Sequence, residues 1–345
     1  MYAELHAWSN FTFLDGGSHP EELVDRAAEL GLAGIALTDR DGLYGMVRFA
    51  ARAKERKIPG IVGGELTFED GAQIVLLVES AAGYANLCEL ISLGQLRGAK
   101  SDARLRVEDF EGRCEGLIAL SGGPNGRAER ALAADGPERA AAEIRRLRGY
   151  FGDRFFLELQ HHLTAGDVAR NERLAALGRE LGVPCVATNG VVYAYKDDAR
   201  LADILTCVRL GTTIDLAHEH HQLRPNAEYH LKPARAMRRL FARYPDAIAR
   251  SVEIASRCAF RLERIIGQFP LFPVDEGKTR QSYLRELVYQ GAAERYGTPP
   301  APNVERQLEY ELGMIARMDL AGYFLIVWDI VKKAAELGVL CQGRG

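Results

Sequence analysis

Histidine, carboxylate and other polar side chains follow several strand-like segments of this sequence. His6 ends an apolar run that begins at Tyr2, and Asp39 and Glu65 follow later runs of the same kind. Imidazole and carboxylate groups are usual protein ligands of divalent cations. Because chemistry in alternating strand–helix folds gathers at the carboxyl ends of the strands, we predict that these positions share one pocket. The other positions at strand ends are Trp8, Arg40, His161, His162 and the segment 189–192.

Short β-like runs alternate with amphipathic helices from residue 1 to about residue 195, which predicts βαβ units around a parallel sheet, closed or open. Ser18 is the predicted N-cap of the first helix, which begins at Pro20. The predicted strands are 2–7, 34–37, 60–65, 73–78, 116–120, 155–159 and 184–187. The predicted helices between them are 20–30, 45–56, 83–92, 138–150 and 168–181.

The character of the sequence changes after Leu201, where helical segments dominate around a polar insert at 218–226. The proline-interrupted segment 269–274 indicates a linker, and helices are predicted at 279–296, 304–318 and 323–337. A chain of this length can hold two domains, or one large barrel and a partial second unit.

Composition and charge limit the class of protein. The chain has 345 residues, 47% hydrophobic residues, 26% charged residues and a net charge of −3. No global basic balance indicates nucleic acid, so such contacts would need a local patch. Six cysteines without a CxxC pair indicate neither a zinc ribbon nor a disulfide framework. With no signal-peptide pattern and no apolar run long enough for a bilayer, we expect a cytoplasmic protein without membrane contact.

A family resemblance covers essentially the whole chain. The segment Leu5–Gly45 resembles the opening of the polymerase and histidinol phosphatase (PHP) family, in the version fused to bacterial C-family replicative polymerases. The segments 63–68, 83–92 and 186–198 continue the match, and 321–345 resembles the start of that family's palm domain. The motifs SNFTFLDGGSHPEEL and GVLCQGRG are most similar to the error-prone, translesion branch.

The resemblance implies an α/β fold, a distorted seven-stranded β/α barrel with a helical C-terminal extension. It implies a PHP domain with helical elaboration over residues 1–268. Residues 269–345 would be a linker and the N-terminal part of a polymerase palm.

The resemblance also implies a metal site that has lost part of its ligands. Metal-binding members carry an HxH pair, a following Asp, a TDH motif, a Glu and a later ND-x-H element, which hold ions that activate water. The remnants predicted here are His6, Asp15, Glu65, His161 and His162, although the last two could be an ordinary loop pair. The replacements are Trp8, Arg40, Gly190 and Val192.

These replacements predict that the pocket binds no metal cluster. A guanidinium group cannot be deprotonated and cannot act as a ligand. We expect Arg40 to pair with Asp15 or Glu65 and so to take over the charge of the metal. One residual ion at His6 and Glu65 is the weaker alternative.

The function implied by the resemblance is that of an N-terminal fragment of an error-prone DNA-directed DNA polymerase. The PHP domain would be a structural or interaction scaffold; the alternative is a metal-dependent phosphoesterase or 3′–5′ proofreading exonuclease. Gly343, Arg344 and Gly345 resemble a turn that approaches the incoming nucleotide. The full-length protein would use Mg²⁺, a DNA primer-template and deoxynucleotides, with damage-tolerance accessory proteins as candidate partners. The catalytic palm aspartates are expected beyond Gly345, so this chain alone is expected to be inactive.

Overall fold

The computed structural model describes residues 1–99, 102–262 and 271–342. The chain forms two compact units, Met1–Arg264 and Ile265–Gly345. The predicted domain boundary between residues 268 and 269 lies outside the described residues and stays a prediction.

The first unit is built on one seven-stranded sheet, whose strands are hydrogen-bonded in sequence order. The segments that follow the first and last strands meet in a parallel bridge between Ala7 and Val191. The sheet therefore curls until its two edges meet, and the predicted α/β class and seven-stranded barrel are confirmed. The strands are β1 (Ala3–Glu4), β2 (Gly34–Leu37), β3 (Gly60–Thr67), β4 (Gln73–Val78), β5 (Leu117–Leu120), β6 (Phe155–Leu159) and β7 (Cys185–Ala187).

The sheet is mixed rather than parallel, which corrects the sequence prediction. β4 runs antiparallel to both β3 and β5, with Glu65 opposite Val75 and Leu76 opposite Ala119. The turn 68–72 between β3 and β4 closes with a hydrogen bond from the Phe68 amide to the Ala72 carbonyl at 2.8 Å. A connection this short cannot carry the crossover that a parallel pair needs, so the chain reverses as a hairpin.

Helices surround this sheet and bury its outer face. The predicted helices are present, and the structure adds one that the sequence analysis missed, α4. The predicted N-cap was wrong by one residue: His19 is the N-cap of α1, while the Ser18 hydroxyl accepts a hydrogen bond from the Ala194 amide. The helices of the first unit are α1 (Pro20–Glu29), α2 (Met46–Arg56), α3 (Ala81–Arg97), α4 (Arg127–Ala134), α5 (Pro137–Phe151), α6 (Asp167–Leu181), α7 (Ala199–Leu210), α8 (Ile214–Glu219), α9 (Ala234–Leu240) and α10 (Pro245–Arg257).

An apolar cluster fills the inside of the barrel near the beginnings of the strands. Leu5, Ile61 and Phe156 project into it, and Ile254 of α10 packs against them. The Ser251 hydroxyl of α10 accepts a hydrogen bond from the Ala3 amide. Since α10 covers this end of the barrel, the opposite end, where the parallel strands finish, is left for polar side chains.

The described part of the second unit, residues 271–342, forms three helices around a small core. Leu284, Leu312, Ala321 and Leu325 are its buried apolar residues. No helix among the described residues is long and apolar enough to cross a membrane. The helices are α11 (Arg280–Tyr296), α12 (Pro302–Arg317) and α13 (Ala321–Glu336).

Candidate functional site

A polar pocket of about 370 Å³ lies at the strand-end side of the barrel. It confirms that the carboxyl-terminal ends of β1, β3 and β7 and the residues next to them converge, because His6, Glu65 and Gly190 all line it. Further lining residues come from the helical extension, from α7 and from the segment after α8. The lining residues used below are His6, Trp8, Asp15, Glu65, Asn125, Gln160, His162, Gly190, Val192, Arg209, Gln222, Arg224 and Tyr229.

His6 lies at the bottom of the pocket between two buried carboxylates. Its Nδ1 is 2.8 Å from Glu158 Oε1 and its Nε2 is 3.0 Å from Glu65 Oε2. Carboxylates accept hydrogen bonds, so both ring nitrogens donate and the imidazole is positively charged. Burial opposes this charge, but Glu158 and Glu65 outweigh burial and raise the pKa of His6 to about 10. His6 is thus a cation held by protein carboxylates, with neither nitrogen left to bind a metal.

Arg40 lies against two carboxylates that line the pocket, and its predicted pairing is confirmed for both of them. Its Nη1 donates to Asp15 Oδ2 at 2.8 Å and its Nε donates to Glu65 Oε1 at 3.1 Å. The guanidinium carbon lies 4.5 Å from the centre of the Trp8 ring. Both oxygens of Glu65 are therefore bound by protein cations, one by His6 and one by Arg40.

Asp39, the acid that precedes Arg40, is buried and orders the loop after β1. It accepts hydrogen bonds from the Ser9 amide at 2.6 Å, the Ser9 hydroxyl at 2.7 Å and the Thr12 hydroxyl at 2.8 Å. The Thr12 hydroxyl also accepts the amide hydrogen of Arg40 at 3.1 Å. The role of Asp39 is thus to fix the backbone that presents Arg40.

The remaining replacements close the pocket with apolar surface and backbone. Trp8 packs against Val192 in a small buried cluster, and its ring meets His6 edge-on at a centroid distance of 6.0 Å. Gly190 has φ +54°, and a Cβ added there would lie 2.8 Å from the Gln160 amide group. An aspartate at position 190 would therefore need both a left-handed backbone and a displaced Gln160.

The two predicted histidines after β6 do not join the cluster around His6. The Nε2 of His162 donates to the Asn189 carbonyl at 2.6 Å, and its ring stacks on Tyr229 at 3.9 Å. Burial lowers the pKa of His162 to about 4, so this ring is neutral. The Nδ1 of His161 accepts the Leu163 amide hydrogen at 3.1 Å, and the His161 ring packs edge-on against Phe241. Only His162 lines the pocket, as a structural residue, and His161 lies outside it.

Glu158 and Gln160 lie beside His6, where the sequence analysis had expected this histidine pair. The Gln160 amide donates to Glu158 Oε1 at 2.9 Å, and Glu158 Oε1 also contacts His6. Glu158 was missed although it carried a signal: it is a charged residue inside the otherwise apolar strand Phe155–Leu159. A buried charge in a strand requires a partner, and here that partner is His6.

The residues present do not fit a metal ion. Asp15, His6 and Glu65 are each engaged by protein partners, and the described residues contain no group of three or more His, Cys, Asp and Glu side chains that could hold a metal. The nucleotide-binding prediction for Gly343, Arg344 and Gly345 lies outside the described residues.

We expect metal binding to return only when the replaced ligands are restored as a set. The variant that combines Trp8→His, Arg40→His, Gly190→Asp and Val192→His should bind Zn²⁺ or Mn²⁺, whereas each single substitution should not, since ligands act together. Metal content after dialysis, measured by mass spectrometry, tests this expectation. Because Gln160 crowds position 190, Gln160→Ala should increase metal content in the combined variant. Metal bound by any single variant at one equivalent would contradict the argument.

Two family models match the chain. The PHP domain matches residues 4–162, and the bacterial DNA polymerase III alpha NTPase domain matches residues 282–345. The first match includes His6, Asp15, Arg40 and Glu65.

The curated relatives are longer than this chain. It is 40% identical over 346 residues to an error-prone DNA polymerase of Caulobacter vibrioides, covering 100% of this chain and 31% of that protein. It is 39% identical over 362 residues to an error-prone DNA polymerase of Mycobacterium tuberculosis strain H37Rv, covering 100% of this chain and 32% of that protein. The chain thus spans about a third of the length of these relatives.

Among solved structures, an amidohydrolase from Chromobacterium violaceum is 20% identical with a TM-score of 0.39, covering 55% of this chain and 86% of that chain.

Proposed function

We propose that this chain, which carries a PHP domain and is similar over its whole length to error-prone DNA polymerases, is part of a DNA polymerase that also copies damaged templates. In the complete protein the substrates would be a DNA primer-template and deoxynucleotides, with Mg²⁺ as the cofactor. Damage-tolerance accessory proteins are proposed partners, and the cytoplasm is the proposed location. The support for these proposals is the similarity to the error-prone polymerases and the match to the polymerase III alpha domain.

Within that polymerase we propose that the first unit is a scaffold without hydrolytic activity and without a bound metal. The observation that carries this proposal is Arg40, which donates to both Asp15 and Glu65 where a metal would need them. Hydrolysis by this type of site requires an ion with an open coordination position that activates water. A guanidinium group supplies the positive charge but has no position at which water can be activated.

The proposal predicts that residues 1–345 release no phosphate or nucleotide above background. The test incubates the purified chain with p-nitrophenyl phosphate, or with a labelled primer-template, in the presence of Mn²⁺ or Zn²⁺. We expect no hydrolysis and no shortening of the primer, because too few ligands are free to hold an ion. His6→Ala is the matched control, since it removes the central surviving histidine.

The alternative is a phosphoesterase or proofreading exonuclease that keeps one ion at His6 and Glu65. Metal-dependent shortening of the primer that disappears in His6→Ala would establish that alternative and refute the scaffold. For the polymerase proposal the same primer-template and nucleotides are given to the complete protein and to residues 1–345. Extension by the complete protein only is the expected result, and absence of extension by the complete protein would contradict the proposal.

A further inference from the structure

Two arginines of the helical extension converge on the pocket without donating a hydrogen bond to any described residue. Arg209, in the last turn of α7, places Nη2 3.2 Å from Asp15 Oδ1, and Arg224, after α8, places Nη2 3.6 Å from the same oxygen. The other oxygen of Asp15 is bound by Arg40 at 2.8 Å. One carboxylate therefore faces three guanidinium groups.

Positive and negative side chains meet at this side of the pocket. Arg209 and Arg224 line it and, together with Arg40, face the carboxylates of Asp15 and Glu65. The carboxylate of Asp203 also interacts with Arg224. Below them His6 and Glu158 cancel each other. The Arg209 side chain is 42% exposed and that of Arg224 is 19% exposed, so both remain accessible from the pocket.

The unused donors have the geometry of an anion site. Each guanidinium presents five N–H donors in a planar fork, and such forks bind two oxygens of a phosphate group at about 2.7–2.9 Å. Asp15 forms ion pairs with Arg209 and Arg224 at 3.2 and 3.6 Å but accepts no hydrogen bond from either, so their N–H groups are not taken up by it. Gln222 and Asn125 also line the pocket, and their side-chain amides are neutral groups that can donate. A volume of about 370 Å³ is larger than one phosphate ion needs and is in the range of small-molecule sites.

We propose that this pocket binds a phosphate group, free or carried by a nucleotide-sized molecule, through Arg209 and Arg224, and that Asp15 is its internal competitor. The ligand accepts hydrogen bonds from the two guanidinium groups and requires no metal. The proposal goes beyond the scaffold role and does not depend on polymerase activity, since every contact lies within the first unit.

The test measures binding to the full chain in a buffer that contains EDTA and little salt. Isothermal calorimetry is done with inorganic phosphate and, separately, with dAMP. We expect saturable binding of both that weakens as NaCl is raised, because partly exposed charges are screened. Equal affinities identify free phosphate as the ligand, and tighter binding of dAMP identifies a nucleotide.

Two variants with opposite expected effects distinguish binding in this pocket from nonspecific electrostatic binding. Arg209→Gln combined with Arg224→Gln should weaken binding by about tenfold or more, since it removes charge-assisted hydrogen bonds. Asp15→Asn should tighten binding several-fold, because it removes the carboxylate that competes for the same donors. The control is Arg48→Gln combined with Arg106→Gln, which removes the same number of charges at two more exposed arginines, 48% and 54%, that pair with Glu21 and Glu69 elsewhere.

The proposal is overturned by no saturable binding at about 10 mM ligand, by equal losses in the two double variants, or by weaker binding in Asp15→Asn. Far-ultraviolet circular dichroism and the melting temperature of each variant verify that it is folded. Binding of a DNA oligonucleotide in the absence of binding of phosphate and dAMP would also overturn the pocket assignment.

Discussion

Replacing Glu158 by glutamine should lower the free energy of unfolding of the first unit by roughly 3–5 kcal/mol, the cost of leaving a buried charge without its partner. Glu158 Oε1 accepts from His6 and from Gln160, and the side chain is buried. Glutamine preserves the size and one acceptor but removes the negative charge. His6 then keeps only Glu65, which it already shares with Arg40.

The measurement is urea denaturation at pH 7 followed by the fluorescence of Trp8, in a Trp328→Phe background so that only the first unit is reported. Glu253→Gln is the control, because Glu253 is more than half exposed and its pair with Arg250 should contribute less than about 1 kcal/mol. The double variant His6→Gln with Glu158→Gln should be less destabilised than the sum of the single variants. A loss below about 1 kcal/mol in Glu158→Gln would show that His6 does not depend on this carboxylate.

The strands were predictable because apolar runs bounded by glycine or polar residues have few alternative structures. The predicted bounds of β2, β4 and β6 agree with the structure. The direction of β4 was not predicted, since the apolar run 74–78 looks the same for a strand of either direction. Only the shortness of the turn 68–72 contained that information.

The sequence predicted the residues that the strand ends contribute to the pocket, but not those that the helical extension contributes. Arg40 follows a strand end, and the loss of the metal left two carboxylates to which it could donate. Arg209 and Arg224 resemble ordinary surface residues of a helical segment, because nothing local shows that α7 and the segment after α8 lie over the pocket. Long-range packing determines that position, for example the bond of the Asn226 amide to the His162 carbonyl at 2.7 Å.

The second large effect is a loss of stability at alkaline pH that His6 controls. In the unfolded chain His6 titrates near pH 6.5, whereas in the folded protein its pKa is raised to about 10 by Glu158 and Glu65. A group whose pKa is raised by folding stabilises the protein fully below the unfolded pKa, and this contribution disappears as pH rises through the folded pKa. The relevant window is therefore between about pH 6.5 and pH 10.

We expect the wild-type protein to lose, relative to His6→Gln, on the order of 4 kcal/mol of unfolding free energy across this window, since one pKa unit corresponds to about 1.4 kcal/mol. Taking the difference between two proteins is necessary because other buried groups titrate in the same range. Burial raises the pKa of Glu4 to about 7 and that of Glu129 to about 8, and lowers that of Lys232 to about 8. These groups are present in both proteins, so their contributions largely cancel.

Urea denaturation in steps from pH 6 to pH 10 gives the two curves of unfolding free energy against pH. Parallel curves would show that His6 is neutral in the folded protein, and the charge arrangement described for the pocket would then be wrong.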